Sequence, residues 1–141
     1  MNWFTWSLLS AFFAGLTAVL AKIGVAGVDS NLATAIRTSV ILVFVWAIAG
    51  VASAPFHFSS ITRRTWIFLG LSGLATGLSW LCYFRALQLG QASRVAPVDK
   101  LSVIFAIVLA AFLLQEKVTW HHWLGGTLIL CGATVIAWQS N

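Results

Sequence analysis

The chain has 141 residues, of which 60% are hydrophobic and 8% are charged, with a mean hydropathy of +0.96 and a net charge of +5. Because soluble domains carry about 25% charged residues, this composition excludes a water-soluble fold and indicates an integral membrane protein. The positive charges are spread over separate segments and form no basic tract, which argues against nucleic-acid binding.

Five apolar segments follow one another along the chain, and each predicts a transmembrane helix. Their approximate bounds are 3–25, 32–52, 66–87, 95–114 and 120–138. The polar turn 29–31 separates the first two, and Ser30 or Asn31 is the expected N-cap of the second helix. Few residues remain outside these segments, so we expect residues 1–141 to form one all-α domain that crosses the inner cell membrane several times.

The fourth segment opens on the polar stretch 93–100 (SRVAPVDK), and its uncharged run covers only 101–114. At ~1.5 Å per residue this run spans ~21 Å, less than the ~30 Å hydrocarbon core of a bilayer. We therefore expect a helix break at Pro97, with the helix beginning at Pro97 or just before it. A proline and charged residues at the mouth of a short span are typical of transporter binding sites.

The expected orientation follows from charges and aromatic residues at the helix ends. Five spans place the termini on opposite sides, and most tryptophans at helix ends fall on the N-terminal side. The basic residues in loops on that side are Arg63, Arg64 and Lys117, and those near the other side are Lys22, Arg37, Arg85, Arg94 and Lys100. If only the basic residues in loops are counted, the N-terminal side carries more positive charge. If those within helix ends are included, the other side carries more. This weak bias predicts dual topology, with a single fixed orientation as the alternative.

Helical angles indicate which charges face the bundle interior. Lys22 and Asp99 each share a helix face with small residues, which mark close packing in membranes. The stripe beside Lys22 is Ala11, Gly15 and Ala18, and the stripe beside Asp99 is Ser102, Ala106 and Ala110. We expect both charges to face inward as the core of a hydrated vestibule, with Asp99 carrying a coupling proton. Snorkelling to the headgroups is the alternative for Lys22 and the expectation for Lys100.

Other positions in the second and third helices are candidates for binding or packing. Arg37 and Arg85 share faces with large apolar residues, so an inward position and snorkelling both stay open. Trp80 and Tyr83 are candidates to line a substrate cavity, with ordinary packing as the alternative. A GxxxG match at 73–77 predicts close helix contact. The expected packing positions are Gly15, Gly70, Gly73, Gly77, Ala106, Ala110 and Gly126.

No enzyme signature is visible in the sequence. It contains neither a phosphate-binding loop nor a pairing of nucleophile and base, and the adjacent His121 and His122 diverge on a helix. With Trp120 and Trp123 these histidines are typical of an interfacial anchor. We therefore expect no catalysis and no cofactor or metal.

Four motifs carry a resemblance to a known family. They are 86–90 (ALQLG), 92–98 (ASRVAPV), 113–117 (LLQEK) and 125–132 (GGTLILCG). In order and spacing they resemble the EamA domain of the drug/metabolite transporter superfamily, most clearly over 70–138. Gln115 departs from the pattern, because the family commonly has glycine before the glutamate.

The resemblance implies a half-transporter. Usual members carry two such domains in inverted orientation, so a single domain implies an antiparallel homodimer or a pair with a paralogous five-helix subunit. It also implies that helices 1, 3 and 4 line a cavity and that helix 5 helps to join the halves. We expect a secondary transporter, an exporter of small polar or charged metabolites that works by alternating access. The alternatives are a lipid-carrier flippase subunit and a non-transporting membrane subunit.

Overall fold

A computed structural model describes residues 2–52 and 61–138, and these ranges contain α-helices and no strand. The helices are α1 (Trp3–Gly24), α2 (Ser30–Ala52), α3 (Arg63–Leu89), α4 (Ala92–Asp99), α5 (Ser102–Leu113) and α6 (Trp120–Ala137). The predicted all-α fold is therefore confirmed. The loop residues Pro55 and His57 lie outside the described residues.

Four stretches are long and apolar enough to cross a membrane. They are Trp3–Gly24, Ser30–Val51, Arg63–Leu89 and Ala92–Leu113, the last of which takes α4 and α5 together. At most 11% of the most apolar window of each is buried within the protein. Large apolar side chains thus face outward, as expected for a chain solvated by lipid. The fifth predicted span corresponds to α6, whose 18 residues cover about 27 Å and begin beside two histidines.

The main difference from the predicted helices lies in the fourth segment. Pro97 is inside α4, which starts earlier than expected, at Ala92, and the break falls at Lys100 and Leu101. Proline has no N–H, so the carbonyl of Ser93 lacks its usual helical donor. The backbone then tightens to i→i+3 hydrogen bonds: Lys100 donates to the carbonyl of Pro97 at 3.1 Å, and Leu101 to that of Val98 at 3.0 Å.

The chain divides into two compact units. One contains residues 1–22 and 89–141, and the other contains residues 23–88. In the first unit α6 packs against α4 and α5. Gly126 is buried at this contact, where an added Cβ atom would lie 3.8 Å from Ile107 Cδ1 and 3.9 Å from Ile104 Cγ1. Gly126 therefore lies against a neighbouring helix, as its predicted packing role requires.

The other predicted packing glycines lie on open surfaces. A Cβ atom added at Gly15, Gly70, Gly73 or Gly77 would meet no heavy atom within 4 Å among the described residues beyond its own local backbone. Gly77 is half-buried, and the other three are exposed. Close helix packing at these four positions would therefore need a surface that the described chain does not supply.

Candidate functional site

The guanidinium group of Arg37 in α2 lies over two aromatic rings of α3, within the second unit. Its central carbon is 4.3 Å from the ring centroid of Trp80 and 5.5 Å from that of Phe84. Trp80 and Phe84 are four residues apart, so their side chains stand on the same helix face one turn apart. Phe84 is only 3% exposed, and Arg37 and Trp80 are half-buried.

A polar connection sets the axial register of the turn before α2 against α3. Gln88 Nε2 donates a hydrogen bond to the carbonyl oxygen of Val28 at 2.6 Å. Arg85 in turn donates to Gln88 Oε1 at 2.8 Å. The turn that presents Val28 includes Gly27, whose φ of +74° lies in the left-handed region that glycine adopts without strain. This connection marks the outer end of the α2–α3 pair.

Two distances along α3, measured from Gln88 at that end, show where the rings beside Arg37 lie. Trp80 precedes Gln88 by eight residues, about 12 Å along the helix, and Phe84 precedes it by four, about 6 Å. A snorkelling arginine would extend outward past Phe84 towards Gln88. The guanidinium is instead nearest to Trp80, the ring farther from Gln88. This contact favours an inward position of Arg37, which stays a prediction.

The contacts of Arg37 with Trp80 and Phe84, called the Arg37 stack below, leave the hydrogen-bonding capacity of Arg37 unused. Within residues 2–52 and 61–138, none of its five N–H donors makes a hydrogen bond or ion pair. Cation–π contacts contribute about 0.5–2 kcal/mol, whereas a charge at bilayer depth costs at least ~2.5 kcal/mol. The arrangement can supply directed donors to a polar group in an apolar setting.

Lys22 has a different environment from the expected vestibule. Its Nζ donates to the carbonyl oxygen of Gly90 at 2.7 Å, within the first unit. Gly90 precedes α4 by two residues, so the half-buried Lys22 joins the end of α1 to the segment that leads into α4. Backbone carbonyls beside helix ends lack intrahelical donors, and an ammonium group is a favourable partner for them.

Asp99 is paired with its chain neighbour. Its carboxylate lies 3.4 Å from Lys100 Nζ, and the two side chains are 35% and 55% exposed, respectively. An ion pair with this exposure contributes about 0–1 kcal/mol. The structure thus gives Lys22 a backbone carbonyl as partner and Asp99 a lysine, while the expected pairing with a substrate or coupling ion stays a prediction.

Two small cavities lie beside α6 in the first unit. One, of about 290 Å³, is lined by residues that include Ala106, Ala110, Glu116 and His122. The other, of about 180 Å³, is lined by Ile104, Ile107, Gly126 and neighbours. His122 Nδ1 lies 2.8 Å from Thr119 Oγ1 and accepts a hydrogen bond from the Thr119 N–H at 3.1 Å, so it caps α6. Sequence reasoning missed this role, although a Thr-x-x-His pattern at 119–122 resembles a capping box.

Phe84 is the residue at the Arg37 stack that sequence reasoning did not select. Its spacing of four from Trp80 was the available signal, because that spacing aligns two side chains on one helix face. Nothing comparable indicates a metal: the described residues contain no group of three or more His, Cys, Asp or Glu side chains that could hold one.

Among known proteins, the chain is similar to an uncharacterized transporter and to two probable flippase subunits. The chain is 52% identical over 136 residues to an uncharacterized transporter in the cobO 3' region of a Sinorhizobium species, covering 96% of each chain. It is 30% identical over 87 residues to a probable 4-amino-4-deoxy-L-arabinose-phosphoundecaprenol flippase subunit, ArnE, of Pseudomonas fluorescens, covering 62% of this chain and 75% of the relative. It is 31% identical over 74 residues to the protein of the same name from Hamiltonella defensa, covering 52% and 67%. No solved structure is detectably similar.

The family model described as the EamA-like transporter family matches residues 1–138, nearly the whole chain. This match agrees with the apolar helices and with a helix interrupted beside charged residues. The protein is a multi-pass membrane protein and belongs to the EamA-like transporter family.

Proposed function

We propose that the protein is a secondary transporter that exports small polar or charged metabolites across the inner membrane by alternating access. The match to a transporter family over residues 1–138 carries this proposal. The Arg37 stack supports it, because a charge held among aromatic rings offers a polar group to a solute inside an apolar fold. Transport, rather than catalysis, is the activity proposed.

The working unit in this proposal is an antiparallel homodimer. The open glycine surface of α3 supports an additional helix packing there, because small residues let membrane helices approach closely. The Sinorhizobium relative is matched over 96% of its length by 96% of this chain. Two copies in opposite orientation would form the inverted repeat on which alternating access depends.

A flippase subunit is the second candidate. Two relatives are probable subunits of a flippase for a sugar-linked polyprenyl phosphate, at 30% and 31% identity. In this alternative the partner would be a paralogous subunit instead of a second copy, and the cargo would be a lipid with a polar head.

Reconstitution distinguishes the candidates. The purified protein, verified as helical by circular dichroism, is inserted into liposomes and screened with radiolabelled amino acids, sugars, carboxylates, phosphates and amines. Saturable uptake of a soluble solute supports the proposed transporter. Movement of a polyprenyl-phosphate sugar between leaflets, without solute uptake, supports the flippase. Absence of both from a folded sample contradicts transport by this chain alone and favours a non-transporting subunit.

A further inference from the structure

We propose that Arg37 binds an oxyanion, a carboxylate or phosphate group, on the transported solute. This inference rests on the proposed transport function and narrows the cargo from polar metabolites to anionic ones. It starts from the geometry of one side chain: a guanidinium 4.3 Å above one ring and 5.5 Å from a second, with its N–H donors unused by residues 2–52 and 61–138.

The ring contacts leave the donors of the guanidinium available. A cation–π contact needs no N–H donor, so within residues 2–52 and 61–138 the rim of N–H donors remains available to a ligand. Two parallel N–H bonds from such a rim match the two oxygens of a carboxylate or phosphate. An ammonium ligand would instead be repelled by the fixed positive charge. The geometry therefore favours an anion and disfavours a cation.

The surroundings of Arg37 hold this group in place. Phe84 is almost fully buried, and the Val28–Gln88 hydrogen bond fixes the outer end of the helix pair. A side chain held against packed rings loses less conformational freedom when it binds, which strengthens binding. Arg64, near the start of α3, also lies over a ring, with its central carbon 5.7 Å from the centroid of Phe68, but it is exposed, so it is a matched control arginine.

Side-chain NMR tests the inference directly. Protein labelled with ¹⁵N-arginine in phosphatidylcholine nanodiscs gives Nε–H signals for the five arginines, and Arg37→Lys identifies that of Arg37. Titration with acetate or inorganic phosphate, with chloride as the control, should shift the Arg37 signal saturably. Arg37→Gln should weaken anion binding, measured by calorimetry, about 10- to 100-fold. Arg64→Gln should leave binding within about twofold, and Arg37→Lys should retain part of it.

Three results of the binding measurements would each overturn the inference. They are an Arg37 signal unmoved by either anion, equal anion affinity in folded Arg37→Gln protein, and a shift that appears only with phosphatidylglycerol and is not displaced by soluble anions. The last would assign the site to a lipid headgroup. Anion binding without flux of any solute would keep the site and remove the transport function. Flux of amines alone, unaffected by Arg37→Gln, would keep transport and refute the anion site.

Discussion

Lys22 Nζ and the carbonyl oxygen of Gly90 lie 2.7 Å apart and are 68 residues apart in the chain. This bond connects the last turn of α1 to the entrance of α4. It gives the half-buried ammonium group of Lys22 a fixed acceptor and gives the carbonyl of Gly90 a donor. Lys22 is therefore a structural contact in this conformation of the protein, whatever it binds during transport.

Replacing Lys22 by methionine should destabilise the protein. Methionine keeps the apolar stem but leaves the carbonyl of Gly90 without this donor. A hydrogen bond to a charged group contributes about 1.5–3 kcal/mol, and the free energy of unfolding should fall by that order. Denaturant titration in mild detergent measures it. Lys100→Met is the matched control and should cost at most about 1 kcal/mol, since its ion pair is exposed. Equal losses in both variants would contradict the structural role of Lys22.

Gln115 should be replaceable by glycine with a gain in stability. It has a φ of 53°, the left-handed region, just after α5, and its neighbour Glu116 donates to the carbonyl of Ala110. That conformation costs a non-glycine residue about 1–2 kcal/mol, partly offset by the greater flexibility of glycine in the unfolded chain. Gln115→Gly should therefore stabilise by about 0.5–1 kcal/mol in thermal denaturation, and Gln115→Val should destabilise. A loss of stability with glycine would argue against this backbone conformation.

Gly126 should tolerate alanine but not leucine. An added Cβ would make ordinary contacts with Ile104 and Ile107. A cavity of about 180 Å³ lies beside them, but we expect a leucine this close to α5 to displace the two isoleucines. Overpacking costs about 1–3 kcal/mol, so Gly126→Leu should lower the free energy of unfolding by that amount. Gly125→Leu is a control at the neighbouring position, where an added Cβ meets nothing within 4 Å. Similar destabilisation by both leucines would refute the packing of α6 on α5 at Gly126.

Gly73→Leu should weaken self-association while leaving the fold of each copy unchanged. Gly73 is exposed on the open face of α3, where an added Cβ meets no described heavy atom within 4 Å beyond its local backbone, so we expect leucine to be accommodated in one copy but to obstruct a second. We expect dimerisation in detergent, followed by fluorescence energy transfer, to weaken about tenfold, equivalent to ~1.4 kcal/mol of overpacking. Ser72→Leu, on a different helix face, should have little effect. An unchanged dimer in Gly73→Leu would remove α3 from the proposed interface.

The helices could be predicted from the sequence because lipid leaves a spanning backbone few alternatives. The exact position of the break in the fourth segment was harder to predict. Pro97 indicates a break nearby, but α4 continues past it and ends at Asp99. The contact between Asp99 and Lys100 was not predicted, because adjacent residues on a continuous helix point about 100° apart. The long, flexible side chain of Lys100 nevertheless reaches the carboxylate of Asp99, at 3.4 Å.

The partners of the candidate site residues were harder to predict. Helical angles indicate the face on which Lys22 lies but carry no signal for a backbone acceptor such as Gly90. For Arg37, periodicity leaves the depth of the guanidinium open, because depth depends on the register between α2 and α3. That register follows from the hydrogen bond between Gln88 and Val28. Its acceptor is a backbone carbonyl, which the identity of residue 28 does not indicate.

Counterflow in proteoliposomes is the most direct test of transport by alternating access. Vesicles that contain only this protein are loaded with an excess of an unlabelled solute identified by the uptake screen, and entry of the same labelled solute is followed. Alternating access predicts that preloading accelerates entry and produces a transient accumulation above equilibrium, because a carrier that returns loaded exchanges solute across the membrane. An entry rate that preloading does not change, or no entry in a sample shown to be folded, would contradict transport by alternating access.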